Sequence, residues 1–343
     1  MNTLLPADLR NDVIAMCARI GTDPLLVQGA GGNVSWKDGD TLWIKASGTW
    51  LADAATKDIF VPVDLAALRG ALAGEQFDAT PTVLGASTLR PSIETLLHAL
   101  MPHPVVVHVH AIDVLAHLVR PDCAATFSRM LDPASPWALV PYRKPGAELA
   151  GAVAGILKEQ PADIVFLQNH GVVIGAASAA DVMAILHGLT QALATEPAVS
   201  VPAHTAPPAV LQAGSVQYDA VTDPELHALA LDTALFARVA TEWALYPDHV
   251  VFLGAHAFCY PDVAALSAAV ARLETPPPLV FIEGTGVYTT GEFGIAKQAQ
   301  LRCYFDVIVR QHGQGALALL QSQDIGALLN WDAERYRQNL SKI

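Results

Sequence analysis

Charge is scarce in this 343-residue sequence, and positive charge is the scarcer kind. Charged residues are 15% of the total, with 20 Lys and Arg against 33 Asp and Glu, for a formal charge of −13. No cluster of Lys or Arg stands out, which argues against a nucleic-acid surface. An anionic small molecule is still compatible, because such groups are held by local amides and single cations. Long apolar runs are also missing. Although 52% of residues are hydrophobic and the mean hydropathy is +0.35, His, Asp, Arg or Pro interrupts every run before eighteen residues. A membrane span is therefore not expected. The first twenty residues contain Asp8, Arg10, Asp12 and Arg19 and no secretory h-region, so the expectation is a soluble, cytoplasmic protein. The four cysteines, Cys17, Cys123, Cys259 and Cys303, show no CxxC spacing and sit in apolar surroundings, as reduced core thiols do.

The apolar content that is present excludes a disordered chain and suffices for one large or two ordinary domains. Its most informative stretch is Val105-Val106-Val107-His108-Val109-His110-Ala111. A β-branched run reads as a buried strand, and period-two alternation places His108 and His110 on one side. Two imidazoles on one rigid face suit a divalent metal ion, although two hydrogen-bonded core histidines would give the same pattern. A third imidazole, His170, follows the apolar run 164–167 where that strand breaks into a turn. Three neutral imidazoles with one open position form the ligand set of a catalytic zinc site.

Periodicity predicts a helix over 8–20, ending at Gly21. A Gly-rich turn, Gly29-Ala30-Gly31-Gly32-Asn33-Val34-Ser35, then leads into a hairpin marked by Asp38-Gly39. Further helices are expected over 92–101, 111–119, 146–158 and 178–195, with strands over 105–110 and 163–168. Residues 198–215 are rich in Pro and Ala and read as a linker. Beyond it we expect helix 224–240, strand 249–253, helix 262–273, strand 279–283, helix 292–312 and a helical tail. The predicted organisation is a catalytic domain over 1–197, a linker over 198–215 and a small α/β domain over 216–343.

The Gly29–Ser35 turn has Val34 where a dinucleotide fingerprint has its last glycine, and it lacks the lysine-serine ending of a P-loop. Its backbone amides can still face an anion, as can the second turn, Lys45-Ala46-Ser47-Gly48-Thr49. Glu94 lies two residues after Ser92 at a predicted helix start. It is either a carboxylate favoured by the helix dipole or a general base and fourth metal ligand. His98, His103, Asp113 and His117 read as structural, exposed or supporting residues, and Glu283–Tyr288 as a tight connection.

Gly31-Gly32-Asn33-Val34-Ser35, Ala46-Ser47-Gly48, Pro91-Ser92-Ile93-Glu94, His108-Val109-His110 and Asn169-His170-Gly171 together resemble the class II aldolase/adducin family in order and spacing. The details are most similar to the aldolase part of bifunctional rhamnulose-1-phosphate aldolase/dehydrogenase proteins, which also continue with segments like Tyr246-Pro247-Asp248-His249 and 280–286. The chain stops where the dehydrogenase part would begin, so that activity is not expected. The resemblance implies a three-layer α/β/α core around a mostly antiparallel sheet, with a smaller C-terminal α/β segment. It implies zinc, or another divalent metal, on His108, His110 and His170. Glu94 would serve as acid/base and as a ligand when the metal's fourth position is vacant. Substrate binding falls to Gly32, Asn33, Ser35, Ser47, Gly48 and Ser92, with Ile93 standing where sugar-phosphate enzymes of the family carry a second serine. The implied function is zinc-dependent cleavage of a ketose or ketose 1-phosphate through a metal-stabilised enediolate, with a homo-oligomeric protein and a small sugar as partner. Glu94 would then need a pKa raised toward neutrality. A tyrosine from a neighbouring subunit would be the second acid, with Tyr142, Tyr260 and Tyr288 as candidates. Decarboxylation of a 3-oxo sugar acid or epimerisation of a pentulose phosphate uses the same chemistry. A non-catalytic adducin-like role would require the ligands to be missing, and they are present.

Overall fold

Alternation along one central strand organises the larger layer system of the computed structural model, which describes residues 6–133, 135–198, 207–291, 293–311, 313 and 315–340. That strand is β4 (Val105–Val109), buried at every position. Its neighbours in sequence are β1 (Asn33–Asp38), β2 (Thr41–Lys45), β3 (Phe60–Asp64), β5 (Trp137–Val140), β6 (Ile164–Leu167) and β7 (Gly171–Ala176). These seven form one sheet in the order β3-β2-β1-β4-β7-β6-β5, antiparallel throughout except between β5 and β6. The hairpin expected from Asp38-Gly39 joins β1 and β2, with Asp38 paired to Thr41 and the turn one residue later, at Gly39-Asp40.

Val105, Val107 and Val109 face one side, where α1 (Pro6–Gly21), α4 (Ile112–Leu118) and α7 (Ala179–Ala192) bury them in the main core. Val106 faces the other side, against α3 (Thr95–Leu100) and α6 (Ala147–Glu159). α2 (Leu65–Ala73) covers the β2-β3 end, and α5 (Cys123–Met130) packs beside α4. The expected α/β/α arrangement with a mostly antiparallel sheet is thus present. The helix expected over 92–101 starts later, at Thr95. Glu94 precedes it, and its backbone N–H donates to Ser92 Oγ at 3.2 Å.

The C-terminal part builds a second sheet from β8 (Val210–Ala213), β9 (Val216–Ala220), β10 (Cys259–Tyr260), β11 (Leu279–Ile282) and β12 (Gly286–Thr289), in the order β10-β11-β12-β9-β8. Of the expected linker, 199–206 lie outside the described residues. Residues 210–213 are not linker but the β8 edge strand, paired to β9 across a Gly214-Ser215 turn. The expected single helix 224–240 is broken into α8 (Ala228–Leu231) and α9 (Thr233–Thr241). Asp232 interrupts it because its side chain accepts the N–H groups of Ala234 and Leu235 and so caps the second helix. The remaining helices are α10 (Pro247–Leu253), α11 (Val263–Val270), α12 (Ile295–Ile308), α13 (Ser322–Leu329) and α14 (Asp332–Leu340).

The expected strand at 249–253 is wrong, since those residues belong to α10. Pro247 opens that helix at its first position and Gly254, at φ +93°, closes it. Because Pro247 through Phe252 are all buried, no polar face gives the helical period away. All four cysteines are free thiols, three of them buried. Among the described residues no helix is long and apolar enough to cross a membrane.

Candidate metal centre

The edge of β4, the turn before β7 and the start of α3 bring four predicted residues together. His108 is the penultimate residue of β4, and His110 follows the strand's last residue. Both are buried, as is His170. His170 sits in the β6-β7 turn directly after Asn169, which holds the left-handed conformation at φ +54°. One side-chain nitrogen from each of the three imidazoles lies within 4.8 Å of the others.

A hydrogen bond fixes how one of these rings points, and a carboxylate faces a second. His108 Nδ1 is 3.1 Å from the carbonyl of Val172, which only accepts, so that nitrogen carries the proton and Nε2 presents its lone pair. His110 Nδ1 faces the Asp248 carboxylate, with Oδ2 at 3.6 Å, a charge that favours the proton on Nδ1. The two Nε2 atoms meet at 3.2 Å, and with both unprotonated they would repel unless they shared a cation. Tetrahedral ligands at the usual zinc–nitrogen distance of ~2.0–2.1 Å stand about 3.3 Å apart, so the contact has the spacing of a ligand pair. Burial holds His110 and His170 to a pKa of about 3, which leaves both neutral and able to coordinate at neutral pH. The residues present fit a divalent cation.

Glu94 completes the cluster. Its Oε2 is 3.7 Å from His108 Nε2 and its Oε1 is 3.6 Å from His170 Nε2. Asn33 Nδ2 donates to Oε2 at 2.6 Å, while Oε1, fully buried, has no hydrogen-bond partner. A raised pKa was expected for this carboxyl, and the structure gives the reverse. Burial pushes it up, but His108, His170, Arg337 and the Asn33 amide outweigh burial and hold it below the ordinary glutamate value.

A cavity of about 30 Å³ opens beside these groups, lined among others by Gly32, Asn33, Ser47, Gly48, Ser92 and Glu94. Ser35, expected with them, does not reach it. Its Oγ is tied to His98 Nδ1 at 2.8 Å, deep under the sheet. Of the other residues weighed in the sequence, His103 pairs with Asp163 and Asp113 with Arg310, while His117 Nε2 bonds the Leu193 carbonyl. Tyr260 and Tyr288 lie in the second sheet, and neither they nor Tyr142 line the cavity.

Sequence reasoning missed four charged groups of the cavity wall: Lys45, Asp248, Glu334 and Arg337. Lys45 is fully buried, its ammonium donates to the Ala30 carbonyl at 2.9 Å, and burial lowers its pKa to about 7. Burial pushes Asp248 up, yet Arg337 and His110 hold it to about 2. Arg337 Nη2 donates to Asp248 Oδ1 at 2.9 Å. Asp248 stood in the quoted Tyr246-Pro247-Asp248-His249 segment, but nothing in the sequence tied that segment to His110, 138 residues earlier.

A curated Bacillus subtilis (strain 168) protein named as an uncharacterized oxidoreductase is 28% identical over 171 residues. The match covers 45% of this chain and 24% of that protein, so the chain spans about a quarter of its relative's length. Among solved structures, the N-terminal class II aldolase domain of a conserved Thermoplasma acidophilum protein is 25% identical, with a TM-score of 0.46. That likeness covers 56% of this chain and 95% of the other. A sugar-phosphate aldolase from Thermotoga maritima is 15% identical over 55% of this chain and 92% of its own, with a TM-score of 0.43. Residues 11–197, more than half of the sequence and the stretch that carries all three histidines and Glu94, match the model for the class II aldolase and adducin N-terminal domain, and the chain belongs to that family.

Proposed function

We propose that the protein is a zinc-dependent aldehyde-lyase that cleaves a ketose or ketose 1-phosphate, with His108, His110 and His170 as metal ligands and Glu94 as acid/base. An aldolase-type enzyme is what family membership supports. The observation that carries the finer reading is the cluster of three buried imidazoles, two of whose Nε2 atoms meet at 3.2 Å, beside a carboxylate with one unpartnered oxygen. A divalent cation held there would polarise a substrate carbonyl and offset the negative charge that develops as the carbon–carbon bond breaks. Glu94 is the group placed to move the proton. Asn33 fixes one oxygen and leaves Oε1 to give or take a proton at the donor carbon. Held below the ordinary glutamate pKa, it is ionised at neutral pH, and so is in the state to take the donor-carbon proton in the condensation direction. The substrate's anionic end falls to the amides of the Gly31-Gly32 turn and to the Ser47 and Ser92 hydroxyls. Ser92 Oγ already accepts from the Glu94 N–H, so its own proton is free to point into the cavity. Subunit association accompanies this reading, and light scattering is its check.

The test is made on protein purified without added metal. Native protein is expected to carry about one zinc per chain and to release an aldehyde from one or more ketose 1-phosphates. Glu94→Gln is expected to keep that zinc. Its exchange of the donor-carbon proton with deuterated water, followed by NMR, should fall by roughly 10²–10⁴-fold. Unchanged exchange removes Glu94 from the proton transfer. A native protein that neither carries nor takes up a divalent metal overturns the whole reading.

A further inference from the structure

We propose that Arg337, carried on the C-terminal helix α14, is the cation that receives the substrate's anionic group, and that the carboxylate of Glu334 holds that place until substrate displaces it. This rests on the lyase reading for the nature of the substrate and on the following geometry for the residue.

Helix α14 covers the mouth of the cavity. Glu334 and Arg337 line it together with Ser47, Gly48 and Ser92, and the Leu340 side chain lies directly over Gly48, where a Cβ would come within 2.5 Å of Leu340 Cδ1. The space left beneath is about 30 Å³, the volume of an ordered water or two, so a sugar phosphate enters only if α14 shifts. The helix is suited to shifting. Of its residues only Glu334 is buried, and its anchors are polar: Arg337 to Asp248, Tyr336 on the Arg90 guanidinium at 4.3 Å, and Gln338 to the Val251 carbonyl.

The Glu334–Arg337 pair itself faces the wrong way for an ordinary helix pair. Side chains three apart normally pair at the surface, where they contribute little. Here Glu334 is 2% exposed and turned inward, a placement that costs desolvation of both charges. Arg337 Nη1 reaches Glu334 Oε2 at 2.8 Å and Oε1 at 3.1 Å. A phosphate or carboxylate of substrate offers a guanidinium the same oxygen acceptors. Exchange of one anion for the other leaves Arg337 paired with a carboxylate or phosphate before and after substrate enters.

The experiment is calorimetric titration of inorganic phosphate into the zinc-loaded 343-residue chain and three variants. Glu334→Gln is expected to bind phosphate at least about tenfold tighter than native, because the competing carboxylate is gone. Arg337→Gln is expected to bind at least about tenfold weaker, with Arg337→Lys between them, since it keeps the charge without the fork. Had Arg337 only anchored α14, Arg337→Gln would open the cavity and bind phosphate as well as native or better, which overturns the proposal. Glu334→Gln binding no tighter than native, or no phosphate binding by either protein, also overturns it. Should Arg337→Gln fail to fold, Arg337→Lys and Glu334→Gln carry the test. The two readings separate cleanly. These phosphate effects without cleavage of any ketose phosphate remove the lyase and leave the exchange. Cleavage with phosphate affinity indifferent to both residues does the opposite.

Discussion

At the scale of single residues, the site is governed by which nitrogen of each imidazole carries its proton. The Val172 carbonyl sets this for His108, and the Asp248 carboxylate, 3.6 Å from Nδ1, favours it for His110. Carboxylate partners of ligating histidines orient the ring and raise its basicity, and losing one typically costs about 10–100-fold in metal affinity. Asp248→Asn is therefore expected to weaken zinc binding by about that factor in a chelator competition, while His108, His110 and His170 all remain. An unchanged affinity would show that His110 keeps its tautomer without Asp248. The histidines themselves were legible in the sequence because their signal is local: an apolar strand with His at i and i+2. Asp248 was not, because its role exists only once a helix from the C-terminal part packs on the β4 edge. Ser35 failed for the opposite reason. It shares the Asn33 face of β1 but lies one pleat deeper, where His98 takes its hydroxyl.

At the scale of elements, the site depends on how closely β7 begins against the end of β4. Gly171 opens β7, and a Cβ there would lie 2.5 Å from the Val109 carbonyl oxygen, 2.9 Å from His110 Cδ2 and 3.1 Å from His108 Cε1. The neighbours are backbone and two ligand rings, so nothing flexible can give way. Gly171→Ala is expected to cost about 1–3 kcal/mol in denaturant unfolding and to lower zinc occupancy as well. A variant with native zinc content would mean that the rings tolerate displacement. Among the elements read correctly from sequence, α1 shows apolar positions at helical spacing, and the β1-β2 hairpin is marked by the turn signal at Asp38-Gly39. α10 was misread as a strand because it is buried on all sides, and a short apolar run bounded by turn residues carries no period. The 224–240 helix was drawn too long because a helical period continues across Asp232, whose capping side chain breaks the backbone.

At the scale of the molecule, two features make the C-terminal part integral to the site. One continuous hydrophobic cluster holds Val105, Val107 and Val109 of the first sheet together with Phe281 and Val287 of the second. A buried polar seam joins α4 to the end of α12, with Arg120 donating to Gln311 Oε1 at 2.8 Å and Gln311 Nε2 to the Ala116 carbonyl at 2.9 Å. Burial also dictates the response to acid. In metal-free protein His110, His170 and His249 all sit near pKa 3, against an ordinary 6.5. Below about 6.5 the unfolded chain therefore binds more protons than the folded one. Stability should fall as the pH drops from about 6.5 toward 3, at about 1.4 kcal/mol per pH unit for each imidazole once titration is under way. Chelator-treated protein unfolded in urea at pH 7 and pH 5 tests this, and equal stabilities would count against it. The sharpest test of integration is Asn169. Its amide donates to the Leu245 carbonyl at 2.8 Å and to the Ala318 carbonyl at 2.7 Å, so the turn that presents His170 is pinned to the C-terminal part by two hydrogen bonds. Asn169→Gly keeps the φ of +54° without strain and removes those bonds, leaving the buried Leu245 carbonyl and the half-buried Ala318 carbonyl without them. The expected loss is about 2–4 kcal/mol in stability together with weaker zinc retention, in a chain whose ligands are all intact. If stability falls while zinc affinity stays native, the C-terminal part supports the fold but does not hold the ligand turn. If neither changes, the two sheets are joined by their shared core alone.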